Sequence, residues 1–170
     1  MVRLGRGAGP RRGTNASENP MDTMISMPNY CENDISISGS KAQMQAFLES
    51  LPNEAFEENE FSILEKWVPL PELSARGEDF DWYAWSVEHW GCKWPDQSSN
   101  LEVRPRSVRF FALSPWSPPL AGFLKFSELT GLTVRIRYYE GSNGFCGHAV
   151  FENGQVKVST SANYRGRRGG

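Results

Sequence analysis

The stretch that decides the fold is Leu132-Thr133-Val134-Arg135-Ile136-Arg137-Tyr138. Leu132, Val134, Ile136 and Tyr138 fall on one side, and Thr133, Arg135 and Arg137 on the other. A period of two marks a strand with one face in the core and one in water. Half-wet strands belong to antiparallel sheets, because parallel strands are covered on both faces and read as continuous apolar runs.

Working toward the C-terminus, Gly141-Ser142-Asn143-Gly144 turns this strand back into Phe145 to Phe151. Asn153-Gly154 is a strong hairpin turn into a last short strand with Val156 and Val158. Toward the N-terminus, Gly131 fits the left-handed position that closes a helix. Leu120, Phe123 and Leu124 form the buried side of that helix, and Ser117 is placed to cap it. Val108 to Leu113 reads as the strand before it.

The first half repeats the plan. Cys31, Ile35 and Ile37 alternate with Glu32, Asp34, Ser36 and Ser38, a strand over Cys31 to Ser38. Ser40 with Gln43 forms a capping box, and Met44, Phe47, Leu48 and Leu51 lay one apolar stripe on the following helix, stopped by Pro52. An acidic loop follows, then a second strand over Phe61 to Val68, ended by Pro69 and Pro71. Two β-α-β halves with a tryptophan-rich helix between them predict an α+β fold. It is a split β-α-β with an antiparallel sheet and helices on one face.

The chain has 170 residues and net charge −2, unevenly spread. Residues 1–26 carry +2 and residues 165–170 carry +3, so residues 27–164, with eighteen carboxylates against eleven basic side chains, carry −7. Three domains of behaviour follow: 1–26 a disordered basic tail or a non-native start, 27–160 the folded domain, and 161–170 a disordered Arg/Gly tail. No apolar run approaches the roughly 18–20 residues that span a bilayer, and no signal peptide is present, so a cytoplasmic protein without membrane contact is expected. Cys31, Cys92 and Cys146 are odd in number and far apart, which argues against a disulfide scaffold.

Four motifs resemble one family. They are Met27-Pro28-Asn29-Tyr30-Cys31-Glu32-Asn33 with Ile35-Ser36-Ile37-Ser38-Gly39; Trp82-Tyr83-Ala84-Trp85 with His89-Trp90-Gly91-Cys92-Lys93-Trp94; Trp116-Ser117-Pro118-Pro119; and Phe145-Cys146-Gly147-His148 before Asn153-Gly154. In this order they resemble the YubB ferredoxin-like proteins of plasmids and phages, a domain of unknown function. The resemblance covers roughly Met27 to Val156. It departs at Cys92, where Thr is expected, and at Cys146, where Ala is expected. It implies a ferredoxin-like fold, a start at Met27 and a mobile-element origin, and it implies no activity or cofactor.

Trp82, Trp85, Trp90 and Trp94 lie within thirteen residues. On a helical wheel Trp82, Trp85 and His89 share one face, and Tyr83, Val87 and Trp90 another. These rings are either core or a recognition surface made of Trp82, Trp85, His89, Lys93, Trp94 and Trp116. Asp79, Asp81 and Glu88 beside them disfavour nucleic acid there. His89-x-x-Cys92 with Cys146-x-His148 has the donor types for zinc but no common zinc spacing, so no metal is expected. Gly141, Gly144 and Gly147 lie between strands rather than before a helix, so they form a turn and not a phosphate cradle. No nucleophile motif is present. The expected role is therefore non-enzymatic binding of a host or phage protein. Single-stranded nucleic-acid binding through the open sheet and basic tails is the alternative.

Overall fold

A computed structural model describes residues 29–166, so the expected tail 1–26 and the last four residues lie outside the described residues. The chain runs β1 (Tyr30–Ser38), α1 (Lys41–Ser50), α2 (Glu54–Glu57), β2 (Glu60–Phe61), α3 (Ile63–Trp67), a 3-10 turn (Leu73–Ala75) and α4 (Trp82–His89). It continues with β3 (Gln97–Arg104), β4 (Ser107–Pro115), α5 (Leu120–Thr130), β5 (Thr133–Glu140), β6 (Phe145–Glu152) and β7 (Gln155–Asn163). All strands join one antiparallel sheet in the order β2-β3-β4-β1-β5-β6-β7. The fold is thus mixed α+β on an open seven-stranded sheet.

Alternation sets which face is which. Ile35 and Ile37 of β1, Val108, Phe110 and Ala112 of β4, and Val134 and Ile136 of β5 are buried on one face. Register places Ile35 between Phe110 and Ile136, so three strands contribute one continuous apolar row. Against it lie Met44 and Phe47 of α1 and Phe123 and Phe126 of α5, all buried. Phe47 and Phe126 meet edge to face at 5.8 Å, which locks the two helices together on that face. Both halves of the α1 capping box form: Ser40 Oγ accepts from Gln43 N, and Gln43 Oε1 accepts from Ser40 N.

Three expectations are corrected. Phe61 to Val68 is not a strand; only Glu60–Phe61 pairs, and Ile63–Trp67 is helical. The cause is Asp96, distant in sequence, whose carboxylate accepts from Ile63 N at 3.1 Å, Leu64 N at 2.9 Å and Ser62 Oγ at 3.0 Å. An acceptor at three donors of a helix start outweighs a weak β preference. Ser117 does not cap α5, whose N-cap is Pro119 without a side-chain bond. Its hydroxyl instead donates to Gly91 O at 2.6 Å, tying α4's exit to the β4–α5 turn. The last strand is not short: β7 runs nine residues to Asn163, three into the segment expected as tail.

The β6–β7 hairpin turns on Asn153 and Gly154, at φ 49 and 71, the two positive values that a twist-matched hairpin needs. One glycine is required by close approach. A Cβ on Gly147 would lie 2.1 Å from Thr160 O and 2.3 Å from Tyr138 Oη. Tyr138 therefore crosses β6 over Gly147 and donates to Thr160 O at 2.8 Å, bracing three strands.

Candidate functional site

Helix α4 starts where Asp81 Oδ1 accepts from Tyr83 N and Ala84 N. Asp81 is thus the N-cap of this helix. Gly91, at φ 85, leads the chain out of the helix. Between these ends the helix is held by few side chains. Ser86 is buried, Trp85 is half-buried against the core, and Trp90 is buried with its Nε1–H donating to Val68 O at 2.7 Å.

The remaining apolar side chains of α4 face outward. Trp82 is 47% exposed, Tyr83 44% and Val87 45%. The expected division of faces is corrected here: Tyr83 and Val87 do not share Trp90's environment. Trp90, the C-cap residue, keeps a helical backbone with its N–H bonded to Ser86 O, and its ring is buried because the chain around Val68 covers it there, while no described segment covers Tyr83 and Val87. Trp82, Trp85 and His89, expected on one face, divide between two ring contacts. Trp82 lies edge-on to Tyr83 at 6.0 Å, while Trp85 stacks on His89 at 4.2 Å and 6°. His89 Nδ1 is 2.9 Å from Trp85 O, and a carbonyl only accepts, so Nδ1 carries the proton.

Lys93, Trp94 and Trp116 form a second group beside α4. The Lys93 ammonium lies 5.2 Å from the Trp94 ring centroid and 4.9 Å from that of Trp116. Such contacts contribute about 0.5–1 kcal/mol each when exposed. The Trp94 indole N–H is buried and has no acceptor among the described residues. Trp116 is 37% exposed and adopts φ 64, a left-handed value that bulky residues avoid. It is held there because Trp116 N donates to Asn29 O, while Ser114 Oγ donates to Ser117 O. Backbone strain of this kind costs of order 1–3 kcal/mol and persists where the surroundings enforce it.

The six expected residues thus fall into three neighbouring groups: Trp82 with Tyr83, Trp85 with His89, and Lys93 with Trp94 and Trp116. Tyr83 and Val87 belong to the exposed surface, and the wheel assigned them elsewhere. The zinc donor set does not converge, and no group of three metal-ligating side chains occurs among the described residues. Cys92 is buried, and its Sγ donates to Trp94 O at 3.1 Å. His148 Nδ1 instead sits 2.8 Å from Thr160 Oγ1 on the sheet. Burial pushes the Cys31 thiol up to about 12 and raises that of Cys92 as well. Both thiols are therefore protonated and unreactive near neutral pH. No described helix is long and apolar enough to cross a membrane.

No family model matches the sequence, and no curated protein matches it. Among solved structures the chain is similar to protein api92 from Yersinia pseudotuberculosis, described under family model DUF1281. The TM-score is 0.53 at 12% identity, covering 83% of this chain and 99% of that one. At that identity the likeness concerns the fold alone.

Proposed function

We propose that this chain is a non-enzymatic protein-binding module that docks a partner on the outward side of α4. The observation that carries the reading is the joint exposure of Trp82, Tyr83 and Val87 on a helix whose other side is packed. Contiguous large apolar side chains in water mark interaction sites, and aromatic rings dominate such sites energetically. Trp116 and Lys93 extend the surface beyond the helix end. Glu78, Asp79, Asp81 and Glu88, all exposed, lie in α4 or just before it, so the complementary partner presents apolar side chains flanked by basic ones.

The same reading takes the core as ferredoxin-like. Its support is the order β3-β4-β1-β5, in which β1 sits between β4 and β5, with α1 and α5 on one face. β2 then extends one edge, and β6 and β7 the other. A YubB-type accessory protein of a plasmid or phage, acting in the cytoplasm, fits the four sequence motifs. The test is partner capture with the full chain and with a Trp82→Ala, Tyr83→Ala double variant, each checked for an unchanged melting curve. The reading predicts a partner that the variant loses; a variant that keeps every partner of the wild type sinks it.

A further inference from the structure

The face of the sheet opposite the helices bears a separate arrangement. Register aligns Glu102, Arg109, Ser36 and Arg135 in one row across β3, β4, β1 and β5. The next row is Ser99, Phe111, Asp34, Arg137, His148 and Thr160. Glu102, Arg109, Ser36 and Arg135 of the first row and Phe111, Asp34 and Arg137 of the second line a groove of about 510 Å³, with Phe111 half-buried in its floor. Arg109, Arg135 and Arg137 are all exposed. None forms an ion pair with a carboxylate among the described residues; Arg135 Nη1 only donates to Ser38 Oγ at 3.1 Å. Glu102 is engaged by Arg104 at 3.5 Å, which leaves Asp34 as the carboxylate facing the groove without an ion pair among those residues.

The acidity of the chain is elsewhere. Eleven of the eighteen carboxylates of residues 27–164 lie between Glu49 and Glu88, in the stretch from α1 to α4. The negative net charge therefore does not describe this face, where three arginines ring one groove. Unpaired guanidinium groups at this density suit phosphate, which they bind with a planar two-pronged fork. Arg135 and Arg137, two residues apart on one strand, are spaced by about 7 Å. They therefore contact successive positions of an extended chain rather than one point.

We propose that this groove binds single-stranded nucleic acid. The arginines hold the phosphodiester chain, and Asp34 accepts from the exocyclic amino group of a base. A carboxylate offers only acceptors, so it matches cytosine, whose edge donates from an amino group, and rejects thymine, which presents a carbonyl there. This is independent of the α4 surface, which lies outside the groove lining.

The test uses the full chain, fluorescence anisotropy, and short oligodeoxycytidine and oligothymidine probes. An Arg109→Ala, Arg135→Ala, Arg137→Ala variant keeps both basic ends, so it separates the groove from them. Wild type is expected to bind oligodeoxycytidine at least tenfold more tightly than oligothymidine. Three phosphate contacts give a slope of log affinity on log salt of about −2. The triple variant is expected to lose at least tenfold, with an unchanged melting curve. Absence of binding by wild type, equal binding by the variant, or equal affinity for the two probes overturns the proposal.

Discussion

Cys31 and Cys92 are buried thiols, and Cys146 is half-exposed on the opposite face of the sheet. A thiol reagent at pH 8 is expected to titrate Cys146 rapidly in the native protein and all three cysteines only in denaturant. Rapid reaction of more than one native thiol contradicts the packing. The same burial sets a pH dependence. Below about pH 9 folded and unfolded chains both hold the Cys31 proton. Between there and about 12 the unfolded chain releases a proton that the folded chain keeps. The unfolded state then binds fewer protons, so stability falls as pH rises through that window. Denaturant midpoints at pH 7.5 and 10.5 check this, and a Cys31→Ala, Cys92→Ala variant should show a smaller drop. Alternation in the sequence placed Cys31 inside correctly, because a strand's inward positions depend on local period alone. It could not place Cys92, which lies past a helix end, where neither period applies.

At the scale of elements, Asp96 is the residue that local patterns conceal. It is buried, and its carboxylate accepts from Ser62, Ile63, Leu64 and Ser98. One side chain thereby starts α3 and anchors the entry to β3. Asp96→Ala leaves several buried donors without an acceptor and is expected to cost about 2–4 kcal/mol in urea unfolding, at 1–3 kcal/mol per unsatisfied group with partial relaxation. Asp96→Asn, which keeps one acceptor oxygen, should cost less. A loss below about 0.5 kcal/mol for the alanine variant contradicts the assignment. This is also why the second strand was misread: Phe61 to Val68 shows no partner in its own letters, and its helix depends on a carboxylate more than thirty residues away. β3, over Gln97–Arg104, carries no strand signal in its letters for a related reason. It pairs with β4 through a register irregularity between Ser99 and Glu102, and most of its side chains are polar. By contrast β1, α1, β5 and the Asn153-Gly154 hairpin were legible, since each carries its own period, cap or turn chemistry.

For the whole molecule, the sheet separates two surfaces: aromatic side chains stand out from α4, and arginines occupy the open face. The aromatic segment was visible in the letters, but its division into packed and free residues was not. That division depends on which segments cover the helix: the chain at Val68 covers Trp90, more than twenty residues away in sequence. The arginines were read as the wet side of strands, and only the register across β4, β1 and β5 brings them together. Helix α4 packs through Trp85, Ser86 and Trp90 and leaves Trp82 and Tyr83 exposed. Equilibrium unfolding of the Trp82→Ala, Tyr83→Ala double variant beside Trp90→Ala tests it most directly. The account predicts a loss within about 1 kcal/mol for the exposed pair and about 3–5 kcal/mol for Trp90. A double variant as destabilised as Trp90→Ala would contradict it, because the rings would then be core.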